Sequence, residues 1–470
     1  MEEYRFAVIS DIHYYSPALG TSGRAYEIRS DNDQKCLAES GAVLDAAARL
    51  IASSDVSAAV ISGDITNDGE KCSHEEIKEK LTCLNEKKEV YLLTSTHDWC
   101  SDRNARRFEG DRAYKDVEAV SPEELAGMYD CFGKDRELAS FRTSKGFYSR
   151  VFALSDGLRL IMVNDDCDGK NGSSGYSPEH LSWMTGQIKK ARSEGADVIA
   201  AEHHLLLHKV SPLVNRGQSI SDNFETAAAL ADAGLRLIFA GHSHMQRTTE
   251  YISPSGNKIT QVNVGALTGY PAPVNFVEVK DHRAHVRVEL LEGFEYDGKK
   301  YGADFFREHT LRVLYSLIEA AGNKNDLFER LASNGIRLKN KDRAYPFIGF
   351  ILKKLPEITV GRALGAVDLF TFGKAVDRKA LKRVGQEKLL PHAADAFLNV
   401  FDGSLTARSQ NEDVKKLTSQ LGSLPYRVVT KLPFAKNEKL IKTTKEISGL
   451  VDELMYPSTE NNMDFTVELT

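Results

Sequence analysis

Short apolar runs alternate with amphipathic stretches along the first half of the chain. The apolar runs predict buried strands at Tyr4–Ser10, Val56–Ser62, Glu89–Ser95, Leu158–Asn164, Asp197–Glu202 and just before Gly241. Apolar residues at helical spacing predict helices over Cys36–Ser53, His74–Glu86, Pro178–Arg192 and Ser221–Gly234. Strands that alternate with helices in this way are typical of an α/β domain with largely parallel strand pairing.

The pattern changes twice further along the chain. Lys258–Val264, Asn275–Lys280 and Val286–Leu291 alternate apolar and polar residues, which predicts antiparallel strands at a second sheet edge. From about residue 300, apolar residues recur at helical spacing, starting with Leu311 and Leu314. We therefore expect an α/β unit over 1–298 and a mainly helical unit over 299–470, whose last dozen residues fray. The polar stretch Asn104–Thr143 is expected to be a surface loop with one helix.

Composition excludes several classes of protein. The 470 residues are 41% hydrophobic and 27% charged, which is typical of a folded chain of about two domains. The net charge of -6 divides into -11 over 1–300 and +5 over 301–470, and an acidic first half suits cation binding. No basic run is dense enough for a nucleic-acid polymer, and no apolar run reaches the roughly 20 residues that span a bilayer.

The cysteines and the amino terminus bear on the compartment. The six cysteines are scattered without a Cys-x-x-Cys pair, which favours free thiols in a reducing compartment. The chain enters a strand almost at once, without the basic and apolar regions of a secretory leader. We therefore expect a cytoplasmic protein. The sequence does not specify an oligomeric state.

Candidate metal ligands follow five of the predicted strands. These residues are Asp11, His13, Asp64, His97, His203, His242 and His244. In open α/β sheets, ligands bind outside the carboxyl ends of the strands. An Asp at a strand end is often only a turn former or helix cap, but its repetition with His at five strand ends favours a metal site. Two divalent ions that share a carboxylate can clamp a phosphoryl group between them.

These motifs, in this order, resemble those of the calcineurin-like metallophosphoesterases. The motifs are Asp11-x-His13, Gly63-Asp64, His97-Asp98, a single His203 and Gly241-His242-x-His244, and the resemblance covers roughly residues 4–290. Gly63–Lys71, Asn104–Arg106 and Val264–Pro271 are similar to a bacterial branch that includes cyclic-nucleotide phosphodiesterases and carries a helical C-terminal domain. The resemblance implies a four-layer α/β/β/α sandwich with an appended, mainly helical C-terminal domain.

The resemblance also implies a role for each residue. One metal ion would be held by Asp11, His13, Asp64 and His244, and a second by Asp64, His203 and His242, with His204 as an outer group. His97 would lie beside the phosphate, and Asp98 would orient its ring. Thr96 occupies the position of an asparagine that normally helps to hold the second ion, so we expect Thr96 to be a weaker ligand or none. The ions would be Mn, Fe or Zn.

The implied activity is hydrolysis of a small phosphodiester, with a cyclic nucleotide as the first candidate, by a metal-activated hydroxide. A phosphomonoesterase, including a protein phosphatase, would use the same ions and nearly the same residues. A degenerate, metal-poor nucleotide-binding module also stays open, because the asparagine is replaced by Thr96. The other ligand positions are all present, which favours catalysis.

Overall fold

The computed structural model describes residues 3–208, 217–333, 341–370, 375–402, 411–430, 438–455 and 462–470. The strands are β1 (Tyr4–Ile9), β2 (Ala58–Ser62), β3 (Glu89–Leu93), β4 (Arg107–Glu109), β5 (Arg112–Tyr114), β6 (Glu137–Arg142), β7 (Tyr148–Ser155), β8 (Leu158–Met162), β9 (Asp197–Glu202), β10 (Leu237–Ala240), β11 (Arg247–Ile252), β12 (Lys258–Asn263), β13 (Pro273–Lys280), β14 (Arg283–Leu290), β15 (Gly293–Tyr296), β16 (Lys299–Gly302) and β17 (Asp464–Glu468). The helices are α1 (Arg24–Asp31), α2 (Ser40–Ser53), α3 (Lys71–Asn85), α4 (Pro122–Met128), α5 (Pro178–Ser193), α6 (Asn223–Ala233), α7 (Asp304–Ala320), α8 (Lys324–Ser333), α9 (Lys341–Lys354), α10 (Val360–Phe370), α11 (Arg378–Val384), α12 (Leu389–Asp402), α13 (Glu412–Val429) and α14 (Glu438–Met455).

Two large sheets form the centre of the fold. The first has six strands in the order β17-β14-β13-β1-β2-β3, and the second has seven in the order β11-β12-β10-β9-β8-β7-β6. Strands β1, β2 and β3 are parallel, and so are β8, β9, β10 and β12. The predicted parallel pairing is therefore confirmed. The three alternating segments after residue 257 divide between the sheets: β12 joins the second, whereas β13 and β14 pair antiparallel in the first.

Alternation along β1 shows how the layers are built. Phe6 and Val8 point between the two sheets, where Phe6 meets the ring of Phe239 at 6.3 Å. Ala7 and Ile9 point the other way and pack beneath α2 and α3. Helices α5 and α6 cover the outer face of the second sheet. Successive side chains of a strand face opposite sides of its sheet, so each central strand serves two cores. The expected α/β/β/α sandwich is confirmed.

The expected loop over 104–143 holds more structure than the sequence predicted. It contains the β4–β5 hairpin, α4 and the edge strand β6, which pairs with β7. In β6, Leu138 is 54% exposed, while Ala139 and Phe141 lie on the opposite face. Apolar side chains on both faces of an edge strand obscure its period of two, so the strand was not recognisable from the pattern.

The carboxyl-terminal residues belong to the first sheet. Strand β17 pairs antiparallel with β14, and Val467 and Leu469 are buried. The expected fraying is therefore wrong for 462–470, and residues 459–461 lie outside the described part of the chain. The expected helices after residue 300 are present, and Phe306, Leu311 and Leu398 from α7 and α12 complete the core beneath α2. Among the described residues, no helix is long and apolar enough to cross a membrane.

Candidate metal centre

The ends of five parallel strands, three from one sheet and two from the other, bring the predicted side chains together. Ligand atoms of three residue groups lie within 4.8 Å of one another: Asp11, His13 and His244; His13, Asp64 and His97; and Asp64, His203 and His242. Because His13 and Asp64 each belong to two groups, the seven residues form one continuous cluster. No spacing rule in the sequence specified that both sheets would contribute.

One half of the cluster is centred on Asp11. Its Oδ1 atom lies 3.2 Å from Nε2 of His244 and 3.6 Å from Nε2 of His13, and these two nitrogens are 3.1 Å apart. The backbone amide of His242 donates to the Asp11 carboxylate at 3.0 Å, which fixes the direction of its oxygens. Two imidazole nitrogens and one carboxylate oxygen thus converge on a single point.

The other half is centred on Asp64. Its Oδ2 atom lies 3.0 Å from Nε2 of His203 and 4.0 Å from Nε2 of His13, while Oδ1 accepts the amide of His97 at 3.1 Å. The His203 and His242 rings are 5.2 Å apart. One oxygen of Asp64 therefore faces histidines of both halves, as a carboxylate that bridges two cations must.

The backbone is strained where these side chains converge. Five of the seven residues have left-handed φ angles: Asp11 at 50°, His13 at 45°, Asp64 at 47°, His242 at 62° and His244 at 55°. Such conformations are costly for residues other than glycine and cluster at functional sites. Strain of this kind aims the side chains toward one centre and is not visible in a one-dimensional pattern.

Two glycines let the strand ends approach each other. A Cβ atom on Gly241 would lie 2.1 Å from Oγ of Ser10 and 2.5 Å from Oδ2 of Asp11. A Cβ on Gly63, which has a φ of 96°, would lie 2.5 Å from Nδ1 of His203. Both positions require glycine, because a side chain would push Asp11 or His203 out of the cluster.

Hydrogen bonds on the outer nitrogens select the ring form that binds metal. Nδ1 of His203 donates to the Ser62 carbonyl at 2.8 Å, so its buried Nε2 carries a lone pair toward Asp64. At His244, the Gln34 amide nitrogen contacts Nδ1, while the Gln34 oxygen is buried without a hydrogen bond. Turning this amide over lets the Gln34 oxygen accept from Nδ1–H of His244 and leaves Nε2 of His244 with a lone pair for an ion.

The charge of the cluster also fits a cation. Asp11 and Asp64 are buried, and isolated buried carboxylates are costly unless a cation or strong donors compensate them. Burial disfavours the imidazolium form of His203, but Asp64 outweighs this effect and raises the pKa of His203 well above its usual range. The pair therefore favours positive charge at Nε2 of His203, where a bound cation can take the place of the proton. Buried Asp and His side chains with their lone pairs directed inward are a donor set that suits Mn, Fe or Zn.

Asp98 binds backbone and hydroxyl groups of the neighbouring loops, and its expected role in orienting His97 stays a prediction. Its carboxylate accepts the Ser95 amide at 2.8 Å, the Thr66 amide at 2.8 Å and the Thr66 hydroxyl at 3.0 Å. The His97 ring instead donates from Nδ1 to the Asn67 carbonyl, with Oδ1 of Asp68 3.4 Å away. Asp98 therefore fixes the loop, and Asp68 faces His97. Burial disfavours the imidazolium form of His97, but Asp64 and then Asp68 outweigh burial and raise its pKa.

Thr96 is half-buried beside His97, and its carbonyl accepts the Ser101 amide at 3.1 Å. Its expected weakness as a ligand stays a prediction.

His204 lies behind the second half of the cluster, its ring 4.2 Å from that of His242. The Asp165 carboxylate accepts its amide at 2.8 Å and lies 3.2 Å from its Nδ1.

Sequence reasoning missed Asp165 and Asp166 as partners of His204 in a fully buried group. These two carboxylates follow β8, so a search for polar residues after each predicted strand would have found them.

The fold and this cluster identify the class of protein. The family model of the calcineurin-like phosphoesterases matches residues 4–246, and the chain belongs to that family. The family supports a metal-dependent phosphoester hydrolase. No curated protein matches the chain.

Three solved structures are distantly similar. A dimetal phosphatase from Danio rerio has a TM-score of 0.43 at 12% identity, covering 61% of this chain and 96% of the other. A putative 5'-nucleotidase from Staphylococcus aureus has a TM-score of 0.37 at 12% identity, covering 67% and 59%. A predicted phosphoesterase from Streptococcus pneumoniae has a TM-score of 0.24 at 12% identity, covering 64% and 99%. These likenesses are too distant to assign a substrate.

Proposed function

We propose that the chain is a phosphodiesterase that hydrolyses a small phosphodiester with two divalent ions. Asp11, His13, Asp64 and His244 would hold one ion, and Asp64, His203 and His242 the other. The observation that carries the proposal is the position of Asp64, whose Oδ2 atom faces His203 of one group and His13 of the other. When bound, two such ions supply an acidified water molecule and neutralise charge on the phosphoryl oxygens.

The chain's own residues supply the remaining chemistry. The oxygen of water forms a bond to phosphorus, the ester P–O bond breaks, and the leaving oxygen takes up a proton, giving a monoester and an alcohol. His97 is the donor that we propose for this proton. The Asn67 carbonyl holds its Nδ1 atom, so Nε2 is the atom that reaches the leaving oxygen. The side chain of His97 is 29% exposed, whereas that of His13 is fully buried.

Several finer points belong to the same proposal. The ions are Mn, Fe or Zn, Thr96 contributes weakly or not at all, and the first candidate substrate is a cyclic nucleotide. A nucleic-acid polymer is not expected as a substrate. The catalytic unit spans 1–298 and the helical unit 299–470, apart from β17, which pairs in the first sheet of the catalytic unit. All six cysteines are free in the structure, which supports a reducing, cytoplasmic location.

The proposal is tested by metal content and paired substrates. Wild-type protein is reconstituted with Mn, Fe or Zn in turn and assayed with bis-para-nitrophenyl phosphate and para-nitrophenyl phosphate. We expect two ions per chain and faster cleavage of the diester. His203→Ala should lose one ion, whereas the exposed control His285→Ala should keep both. Faster cleavage of the monoester would favour a phosphomonoesterase. Fewer than two ions with no turnover would favour a binding module.

A further inference from the structure

A large cavity opens beside His97, between the sandwich and the helical region. Its volume is about 640 Å³, which is within the range of sites for small organic ligands. Residues of α1 line one wall, the loop around Arg106 and Phe108 lines another, and Glu329 and Ala332 of α8 line a third. The cavity is therefore large enough for the organic portion of a substrate whose reacting phosphate lies at His97.

Contacts with the helical region hold the α1 wall in place. Arg312 of α7 and Arg330 of α8 both bind the Asp31 carboxylate, at 3.2 Å and 3.0 Å. Arg24 pairs with Asp326 at 3.0 Å. The His309 ring donates to the Lys35 carbonyl at 3.1 Å. Because these contacts join α1 to α7 and α8, the helical region helps to shape the cavity.

The carboxylates that line the cavity have partners in the protein. Asp33 binds both Arg29 and Lys35, the latter at 3.4 Å. Asp68 accepts the side-chain amide of Asn67 at 2.9 Å and faces His97. Asp111 accepts the Arg24 amide at 3.3 Å, and Glu329 lies 3.7 Å from the Arg24 guanidinium. None of these carboxylates faces Arg106 within ion-pair distance.

Arg106 is the exception among the charged lining residues. Over the described part of the chain it makes no hydrogen bond or ion pair, and its Nε atom is buried without a partner. Its guanidinium carbon lies 5.8 Å from the Phe108 ring centroid. Burial, and then the charge of Arg29, lowers the pKa of Arg106. A half-buried guanidinium that also repels a neighbour is costly unless an anion binds it.

We propose that this cavity binds the leaving portion of the phosphodiester, and that this portion carries a second anionic group, a phosphate or a carboxylate, which Arg106 binds. This inference rests on the proposed function, because His97 lines the cavity and protonates the leaving oxygen in that reaction. Arg106 is thus a specificity-determining residue. Arg106 therefore favours a cyclic nucleotide or other diester with a second anionic group over a cyclic mononucleotide, whose only phosphate is the reacting one.

The test uses full-length, metal-loaded protein and three methyl aryl phosphates. The aryl leaving group carries hydrogen, a carboxylate or a phosphonomethyl group at its para position. We expect wild-type kcat/KM to be about 10- to 100-fold higher for at least one anionic ester than for the neutral one, as for a hydrogen bond to a charged group. The anionic ester with the larger increase in kcat/KM identifies whether Arg106 prefers a carboxylate or a phosphate. Arg106→Gln should abolish the preference, lowering kcat/KM of the anionic ester to that of the neutral one.

Controls separate the possible failures. Arg103→Gln, an exposed arginine outside the cavity, should keep the preference. Arg106→Lys should retain part of the preference for the anionic ester. If Arg106→Gln does not fold, Arg106→Lys is used in its place. Equal kcat/KM for all three esters in wild type, or an equal loss on all three in Arg106→Gln, would overturn the subsite.

Binding of the leaving alcohols tests the subsite without turnover. Calorimetry on metal-depleted protein measures the affinity for 4-hydroxybenzoate and (4-hydroxybenzyl)phosphonate. We expect Arg106→Gln to weaken binding of the preferred alcohol about tenfold or more. If no ester is cleaved but this difference is found, the proposed function fails and the subsite stands. If the esters are cleaved but both proteins bind the alcohols equally, the subsite fails and the proposed function stands.

Discussion

Replacing Asp98 and Asp68 in turn distinguishes the two candidate partners of His97. In Asp98, one oxygen accepts the Ser95 amide and the other accepts the Thr66 amide and hydroxyl. Asp98→Asn must turn its NH₂ group toward one of these backbone N–H groups, whichever way the amide lies. One buried backbone donor then loses its acceptor, which costs about 1–3 kcal/mol of unfolding free energy. His97 keeps its own contacts with Asn67 and Asp68.

Asp68→Asn should have the opposite profile. Its Oδ1 atom lies 3.4 Å from Nδ1 of His97, so this carboxylate helps to orient the ring. Losing an outer group that orients a functional imidazole typically costs about 10- to 100-fold in activity. We therefore expect kcat to fall by that factor, with KM and metal content nearly unchanged.

The two variants are compared by urea denaturation of metal-depleted protein and by turnover of bis-para-nitrophenyl phosphate in metal-loaded protein. Metal is removed for the first measurement because a bound ion adds its own stability. Asp98→Asn should lower the denaturation midpoint and keep kcat within about threefold. A 100-fold loss of kcat in Asp98→Asn without loss of stability would refute the reasoning and return the orienting role to Asp98.

Three further outcomes follow from the structure. His97→Ala should keep both ions yet lose most turnover, and joint loss of metal and activity would contradict its role. Burial lowers the pKa of His74 to about 4, below the unfolded value near 6.5, so stability should fall by up to about 3 kcal/mol as pH drops through this window. His74→Gln should remove that pH dependence of the urea midpoint, and an unchanged slope would exclude His74. Leu469→Ala should lower the unfolding free energy by about 2–5 kcal/mol while the exposed control Thr470→Ala has little effect. A small change at Leu469 would mean that β17 does not belong to the cooperative fold.

The sequence predicted those parts of the fold that depend on local periodicity. β1, β2 and β9 each contain a continuous apolar run because both faces are buried there, and these strands were therefore easy to locate. Phe465 and Val467 of β17 alternate with polar residues, and Leu469 continues the pattern, but the partner strand is distant in sequence, since Arg283 of β14 pairs with Glu468 across 185 residues. Only that long-range partner turns an apparently frayed end into a strand.

The site residues divide in the same way. Residues that directly follow a strand were identified because the strand fixes where they lie. Asp68 and Arg106 come from loops whose paths depend on distant contacts, such as the Asn67 amide donating to the Tyr14 carbonyl at 3.0 Å. The left-handed backbone of Asp64 is likewise set by its surroundings. Such features follow from tertiary packing, so spacing along the chain did not indicate them.

The central claim is that Asp64 joins two ions in one centre. Electron paramagnetic resonance of the manganese-loaded protein tests it most directly, because ions that share a carboxylate lie about 3.5–4 Å apart and couple magnetically. We predict two manganese ions per chain with an exchange-coupled spectrum, which Asp64→Asn converts to that of isolated ions or abolishes. A spectrum of isolated manganese in the wild-type protein at full occupancy would contradict the account.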